Sequence, residues 1–412
     1  MNLTCMECNS TYDPKDTRFL CDCGGLLDVA LDLQDAAVSR ETLDARLAGA
    51  ALPGGSGVWR YRELLPPIPD EHIVSKDEGN TNLYTDARLS AWTGCDGLHL
   101  KHEGENPTGS FKDRGMTVGM SHARWTGART VACASTGNTS ASVSAYAAAA
   151  GIHGLTFVPE GQLALGKLAQ TMGYGARTVQ VRGDFDDAMK LVRQVAERGD
   201  VALLNSLNPY RLEGQKSIVF EILQQLEWSV PDWIVVPGGN LGNTSSFGKA
   251  LRELQQVGLI QKMPRLAVIQ AAGANPFYQA FRDGFRSLTP VTADTVATAI
   301  RIGNPVNYPK AVRSLEWTDG VVEQVTDDEI LEAKNRVDTV GIGCEPASAA
   351  SVAGTRKLVS QGTIRPGDQV VAILTGHILK DPDSILDHKE RFGITLETVE
   401  PNLDAVTRLL DG

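Results

Sequence analysis

The chain has 412 residues, 42% hydrophobic and 22% charged, a balance that excludes overall disorder or a lone small module and, at roughly 150 residues per domain, leaves room for two or three domains. Lys and Arg total 39 against 50 Asp and Glu, a formal charge of -11; with no long basic run, nucleic acid and anionic membrane surfaces are excluded as default partners. Gly, at 41 residues, exceeds its usual share of roughly 7%, which suits backbone brought close to something small.

The start, Met1-Asn-Leu-Thr-Cys5, lacks a basic region followed by an apolar core, so no secretory signal is expected. Cys5-x2-Cys8-x12-Cys21-x-Cys23 gathers four of the seven cysteines around a Tyr12-Asp-Pro14 turn. These thiols suit a structural zinc as half a ribbon; a metal-free remnant with reduced thiols is the alternative, because C-x-C is tighter than the usual C-x2-C knuckle. Gln34 to Leu47 reads as a charged helix, and Pro53-Gly-Gly-Ser-Gly57 and Leu65-Pro-Pro-Ile-Pro69 read as linkers. Cys95, Cys133 and Cys344 read as small buried apolar residues, and an odd number of thiols suits a reducing, cytoplasmic compartment.

From about residue 95 short β-branched runs alternate with helical ones. Strands are expected at Thr130–Ser135, Leu155–Val158, Trp233–Pro237, Leu266–Gln270 and Val370–Leu374, with helices at Thr139–Ala150 and Thr244 to about Gln256. Strand, helix, parallel strand is the α/β pattern. The uncharged stretch Gly137 to Pro159 is too rich in Ala, Ser, Gly and Thr to span a membrane. In open α/β sheets ligands lie at the carboxyl ends of strands. Three loops there are rich in Gly, Ser, Thr and Asn: Ser135-Thr-Gly-Asn-Thr139, Gly238-Gly-Asn-Leu-Gly-Asn243 and Thr375-Gly-His377.

The loop formed by Gly238, Gly239, Asn240, Leu241, Gly242 and Asn243 opens a helix, so its N–H groups and the helix dipole converge on one point, a phosphate cradle. It has neither the Lys-Ser/Thr ending of an ATP-binding loop nor the spacing of a dinucleotide fold, which points to another phosphorylated cofactor; an ordinary capped turn would carry the same residues. Glu105-Asn-Pro-Thr-Gly-Ser-Phe-Lys-Asp-Arg114 places Lys112 in the first turn of a helix that Ser110 or Thr108 is positioned to cap. Positive dipole there lowers a lysine pKa and favours a Schiff base with an aldehyde such as pyridoxal phosphate (PLP); a solvated surface lysine is the ordinary alternative.

Five motifs in order change that balance: Asn106-Pro-Thr-Gly-Ser-Phe-Lys-Asp-Arg-Gly-Met116, Ala134-Ser-Thr-Gly-Asn-Thr-Ser-Ala-Ser142, Asn205-Ser-Leu-Asn-Pro-Tyr-Arg-Leu-Glu-Gly-Gln-Lys216, Pro237-Gly-Gly-Asn-Leu-Gly-Asn243 and Thr375-Gly-His-Ile-Leu-Lys-Asp-Pro382. Together they resemble the threonine synthase family of PLP enzymes, over roughly residues 75 to 385. The resemblance implies PLP fold type II: two open, twisted, mostly parallel sheets flanked by helices, here with a small Cys-rich N-terminal segment. It implies a segment and linker at 1–75, a large PLP-binding domain from 76–109 and 205–385, a small inserted domain at 110–204, a tail at 386–412, and a homodimer.

The resemblance further implies conversion of O-phospho-L-homoserine and water to L-threonine and phosphate, a β,γ-replacement. Lys112 would hold PLP and then move protons on the substrate. Asn138 would bond the ring hydroxyl, the 238–243 loop the cofactor phosphate, and Thr375 the pyridine nitrogen, where a neutral hydroxyl leaves that nitrogen unprotonated. Ser135, Thr136 and Thr139 would receive the substrate carboxylate. Asn205, Ser206 and Arg211, with Lys101 as a weaker candidate, would hold the substrate's own phosphate, to which a guanidinium fork is matched. A cysteate synthase-like replacement on O-phosphoserine is the nearest alternative. A threonine/serine dehydratase is disfavoured by the second phosphate set. A metal-binding interaction protein with a retired PLP site is disfavoured by intact Lys112, Asn138 and Thr375.

Two positions depart from the family pattern. Asn82 stands where the family has Pro, which is expected to loosen a turn. Ile378 stands where Gly is commoner, which implies a differently wound turn or a narrower pocket beside Thr375. His377 is expected either to approach the cofactor or to be an ordinary satisfied polar residue.

Overall fold

The computed structural model describes residues 1–33, 37–48, 53–160, 165–183, 185–199, 201–388, 390–395 and 397–411. Residues 1–380 form one compact unit and 381–412 a second. Among the described residues the strands are β1 (Asn2–Cys5), β2 (Thr11–Tyr12), β3 (Leu27–Ala30), β4 (Leu83–Tyr84), β5 (Gly97–His102), β6 (Thr130–Ala134), β7 (His153–Pro159), β8 (Arg177–Val181), β9 (Ala202–Leu203), β10 (Trp233–Pro237), β11 (Arg265–Ala271), β12 (Val321–Val325) and β13 (Gln369–Leu374).

They form three sheets, ordered β2-β1-β3, β12-β11-β10-β13-β5-β4 and β8-β7-β6-β9. The first is antiparallel. The second is parallel except for β4, and the third is parallel throughout.

The six-stranded sheet is buried on both faces, as a parallel sheet covered by helices must be. Alternate residues feed two separate cores. Ile234, Val236, Leu266, Val268, Val371 and Ile373 enter one, while Trp233, Val235, Ala267, Ile269, Val370 and Ala372 enter the other. This is why Trp233–Pro237 reads in the sequence as an unbroken apolar run. The four-stranded sheet comes wholly from within 110–204 and packs the same way, with Val131 and Cys133 on one side and Ala132 and Ala134 on the other. The Ala-rich helix Asn138–Ala150 ends on Gly151 in the left-handed region, the usual role of a glycine at that position. Cys95, Cys133 and Cys344 are fully buried, as expected.

The first seventy-five residues differ from the sequence expectation. The charged stretch is helical only over Arg40–Ala45, capped by Ser39 and continued by a 3-10 turn at Arg46–Ala48; residues 34–36 of it lie outside the described residues. The two expected linkers are packed. Ser56, Leu65 and Ile68 are buried, and a Cβ on Gly57 would lie 2.3 Å from the Asn80 nitrogen and 2.4 Å from a Glu221 carboxylate oxygen. Gly there serves close approach, which has the same composition as flexibility. Among the described residues no helix is long and apolar enough to cross a membrane.

Candidate active site

The carboxyl ends of β5, β6, β10 and β13 bring together the four motif loops. The loop before Lys112 is pinned to the loop after β13: Ser110 and Gly376 form an antiparallel bridge, Phe111 N–H donates to Thr375 O at 3.0 Å, and His377 N–H donates to Gly109 O at 2.9 Å. Lys112 begins the helix Lys112–Trp125. Neither expected cap is used, since the N-cap is Phe111 and no side chain caps it. Instead Asp113 reaches back to the Thr108 N–H and hydroxyl, both at 2.7 Å, and the Ser110 hydroxyl is buried without a partner. Lys112 is half-buried. Its amine is pushed down to about 7, first by burial and then by the positive charge of Arg211, with Glu345 opposing.

Asn138 and Thr375 meet at a third residue, Glu345, which lies outside the five motifs. The Asn138 amide donates to both carboxylate oxygens of Glu345, at 3.3 and 3.0 Å, and the Thr375 hydroxyl donates to Glu345 at 3.2 Å. Thr375 also pairs with the Ser348 hydroxyl at 3.0 Å. Burial raises the Glu345 pKa, against the pull of Asn138, Lys380, Thr375 and Lys112. Gly376 is obligatory beside it, because a Cβ would lie 2.5 Å from the carboxylate. The available sequence signal is the acid itself: Glu345 occupies the N-cap before Pro346 yet caps nothing, and an acidic group spared from capping is free for a site.

The 238–243 loop has the shape of a cradle. It joins β10 to the helix Gly242–Gln256, with Leu241 left-handed at φ 61°. Gly238 N–H is used by Ile269 O at 2.7 Å, so the converging donors begin at Gly239. A Cβ on Gly238 would lie 2.6 Å from Val268. Behind these donors, Asn243 Oδ1 and the Thr244 hydroxyl are buried with no hydrogen-bond partner. Asn307 fixes the loop by donating to Asn240 O and Ser206 O, both at 3.2 Å, which joins the cradle to the Asn205–Arg211 motif. Thr244 directly follows the loop in the sequence, at the start of the expected helix, whereas Asn307 carries no local signal.

The residues expected to receive the substrate are partly brought together. Ser135, Thr136 and Thr139 are half-exposed around the start of the Asn138 helix, and the Ser135 hydroxyl accepts from Gly137 N–H at 3.2 Å. Asn205 grips both backbone groups of Ala134, at 3.0 and 3.1 Å, and so holds the end of β6. Arg211 is 1% exposed. Its Nη1 donates to Leu204 O at 2.9 Å, its Nε has no partner, and burial lowers its pKa to about 10.

Lys101 does not join this set. It is fully buried and its ammonium donates to Thr81 O, Glu221 and Gln225 at 2.7, 2.6 and 2.7 Å, so the structure corrects its assignment from substrate ligand to interior ion pair.

Both departures from the family pattern are accommodated. Asn82 pins its turn instead of loosening it: its N–H, which Pro would lack, donates to Glu105 at 2.7 Å, and its side chain to Glu105 at 3.1 Å. Ile378 opens a 3-10 turn, Ile378–Lys380, and a Cβ on Gly343 would lie 3.3 Å from its side chain. His377 is satisfied locally, accepting from Leu379 N–H at 3.1 Å.

Residues 74–376 match the family described as pyridoxal-phosphate dependent enzymes. The threonine synthase of Methanocaldococcus jannaschii is 48% identical over 390 residues, covering 94% of each chain. That of Methanosarcina acetivorans is 46% identical, covering 100% of this chain and 99% of the other. Among solved structures, threonine synthase from Escherichia coli superposes with a TM-score of 0.73 at 18% identity, over 100% of this chain and 99% of that one. At that identity the likeness shows the fold, and it agrees with the two large sheets. The long alignments at high identity place the chain within the pyridoxal-phosphate dependent enzyme family, among the threonine synthases.

Proposed function

We infer that the chain converts O-phospho-L-homoserine and water to L-threonine and phosphate. The observation that carries this reading is a pair of anion-receiving features beside one lysine of lowered pKa. One is the cradle after β10, with the unpartnered Thr244 hydroxyl behind its N–H donors; the other is Arg211, whose charge reaches Lys112. A cofactor phosphate accounts for the first. A phosphorylated substrate accounts for the second, which a dehydratase would not need.

PLP fits these residues. Its phosphate would be held by the N–H groups from Gly239 to Asn243 and by Thr244, its aldehyde by Lys112, and its ring by Asn138 and Thr375. When bound, it supplies an electron sink that makes the protons next to the substrate amine removable.

Lys112, largely neutral above about pH 7, acts as the base at the substrate Cα and later returns a proton. Ser135, Thr136 and Thr139 orient the carboxylate. Ser206 and Arg211 hold the substrate phosphate as it leaves Cγ, and Asn205 acts through β6 by fixing where Ser135 stands. Water then adds at Cβ. We place a closing movement in the body at 110–204, which would exclude water until that step. All seven cysteines are free thiols, which suits the cytoplasm, and a homodimer is the assembly that the resemblance implies; light scattering checks it.

The test is to incubate the PLP-loaded protein with O-phospho-L-homoserine, and separately with O-phospho-L-serine plus sulfite, following phosphate release and product identity. Threonine from the first alone is expected. Cysteate from the second without threonine from the first would keep the cofactor chemistry and overturn the substrate.

A further inference from the structure

The reaction proposed above leaves the four N-terminal cysteines unused. Cys5 ends β1, and Cys8 follows in the turn toward β2; Cys21 and Cys23 lie in the turn before β3. Pairing of β1 with both neighbours, with Cys5 opposite Leu27, carries the two turns to one place. The four sulfurs lie within 4.8 Å of one another, and the pairs Cys5–Cys23 and Cys8–Cys21 are each 3.5 Å apart. A disulfide would need about 2.05 Å. A tetrahedron of sulfurs about 2.3 Å from a central zinc has edges of about 3.8 Å, which lies between the 3.5 Å of these two pairs and the 4.8 Å that bounds the whole set.

The surrounding backbone is shaped for the same purpose. In each turn the residue after the second cysteine is left-handed, Asn9 at φ 59° and Gly24 at φ 88°. Each turn closes on its first cysteine, Asn9 N–H to Cys5 O at 3.2 Å and Gly24 N–H to Cys21 O at 2.8 Å. Two such turns facing each other present four sulfurs to one point. Glu7 N–H approaches the Cys5 sulfur at 3.4 Å, and the Tyr12 hydroxyl lies 2.9 Å from the Cys21 sulfur, donors that would steady thiolates. Gly25 leaves room for them, since a Cβ there would lie 2.7 Å from the Cys5 sulfur. The C-x-C spacing is thus no obstacle, because the glycine pair after Cys23 supplies the turn.

We propose that Cys5, Cys8, Cys21 and Cys23 bind one structural zinc ion, which clamps the loop between Cys8 and Cys21 against the helices that carry Lys112 and Arg211. Thiolates in tetrahedral array select a soft or borderline metal, and binding releases their protons. The clamped loop contains Pro14, whose carbonyl accepts from His122 Nε2 at 2.9 Å and from the Tyr210 hydroxyl. His122 lies on the Lys112–Trp125 helix, and Tyr210 precedes Arg211. Their rings are stacked 3.5 Å apart. The same small sheet is fixed from its other edge: Lys310 donates to Leu27 O at 2.6 Å, Asp28 pairs with Lys310 at 2.8 Å and with Arg313 at 2.6 Å, and Lys249 donates to Val29 O at 2.5 Å. The zinc would add a clamp at the cysteine turns, beside which Arg18 pairs with Asp16 at 2.8 Å and with Asp22 at 3.0 Å.

The holoenzyme, purified without chelators, is analysed by plasma mass spectrometry and zinc-edge X-ray absorption. One zinc per chain with four sulfur neighbours is expected. Stoichiometric iron, or a chain without zinc that takes up none when reduced and supplied with it, would overturn the assignment. Replacing the two exposed ligands together, Cys8→Ser with Cys23→Ser, is expected to abolish zinc binding and lower the melting temperature by about 5 °C or more. Retained zinc would overturn the ligand set, and lost zinc with unchanged melting would overturn the clamp. If the variant does not fold, the metal content and absorption spectrum of the wild-type protein decide the matter alone.

Discussion

Lys112 owes its lowered pKa first to burial and then to the positive charge of Arg211, while Glu345 acts in the opposite direction. Capture of PLP by the cofactor-free protein needs the neutral amine, so its rate should rise with pH and level off above about 7. The growth of the cofactor's visible absorption band measures this, and a midpoint near the ordinary lysine value would remove the burial argument. The neighbours give signed tests. Arg211→Met deletes a cation and should move the midpoint up; Glu345→Gln deletes an anion and should move it down. Movement of both in the same direction would mean that the substitutions act through packing. Lys112→Ala should leave the cofactor unreducible onto the protein by borohydride and lower turnover by about three orders of magnitude or more. Lys112 was legible in the sequence because its motif is contiguous. Glu345 was not, because its partners lie 207 and 30 positions away, and no local pattern records such distances.

The cradle after β10 is a property of an element boundary: a buried strand, a left-handed turn at Leu241 and a helix whose first N–H groups have no intrahelical acceptor. Its sharpest test is Thr244→Val. The Thr244 hydroxyl is buried and unpartnered, so removing it should leave the melting temperature of the cofactor-free protein unchanged or slightly raised. Affinity for PLP should nevertheless fall by about 10-fold, the loss of one hydrogen bond to a charged group. Equilibrium dialysis and melting with and without PLP separate the two effects; a destabilised cofactor-free protein would show that the hydroxyl has a partner within the fold. The strands Trp233–Pro237 and Val370–Leu374 could be read directly, since burial on both faces writes an apolar run into the sequence. The packed turns at Pro53–Gly57 and Leu65–Pro69 could not, since close approach and flexibility draw on the same Gly and Pro. Lys101 illustrates the same limit on a strand, where what faces the side chain is set by a helix 120 positions later.

At the scale of the whole molecule, a cluster of buried charges joins the segment before residue 75, β5, the Lys112 helix and the helix Ser217–Gln225. Glu221 receives Arg60 at 3.0 Å, Lys101 at 2.6 Å and Arg114 at 2.8 Å, and Glu103 receives Arg114 at 2.7 Å. Three cations thus share two carboxylates in the interior. Burial raises the cost of ionising Glu221, yet Arg114, Lys101 and Arg60 hold it well below the usual carboxylate range. Glu221→Gln would leave three cations facing one carboxylate, and breaking a buried pair in this way costs about 3–5 kcal/mol. The variant should therefore unfold at lower denaturant at neutral pH. The acid limb carries a second signature. A carboxylate depressed in the folded state contributes stability that is fully present above its unfolded pKa, near 4, and is lost as pH falls through its folded value. Wild-type stability should consequently drop steeply below about pH 4, and the Glu221→Gln curve should be flatter there, the two converging toward acid. Parallel curves would assign the neutral-pH loss to packing, whereas convergence would assign it to charge and make this cluster the electrostatic joint on which the Lys112 helix is seated.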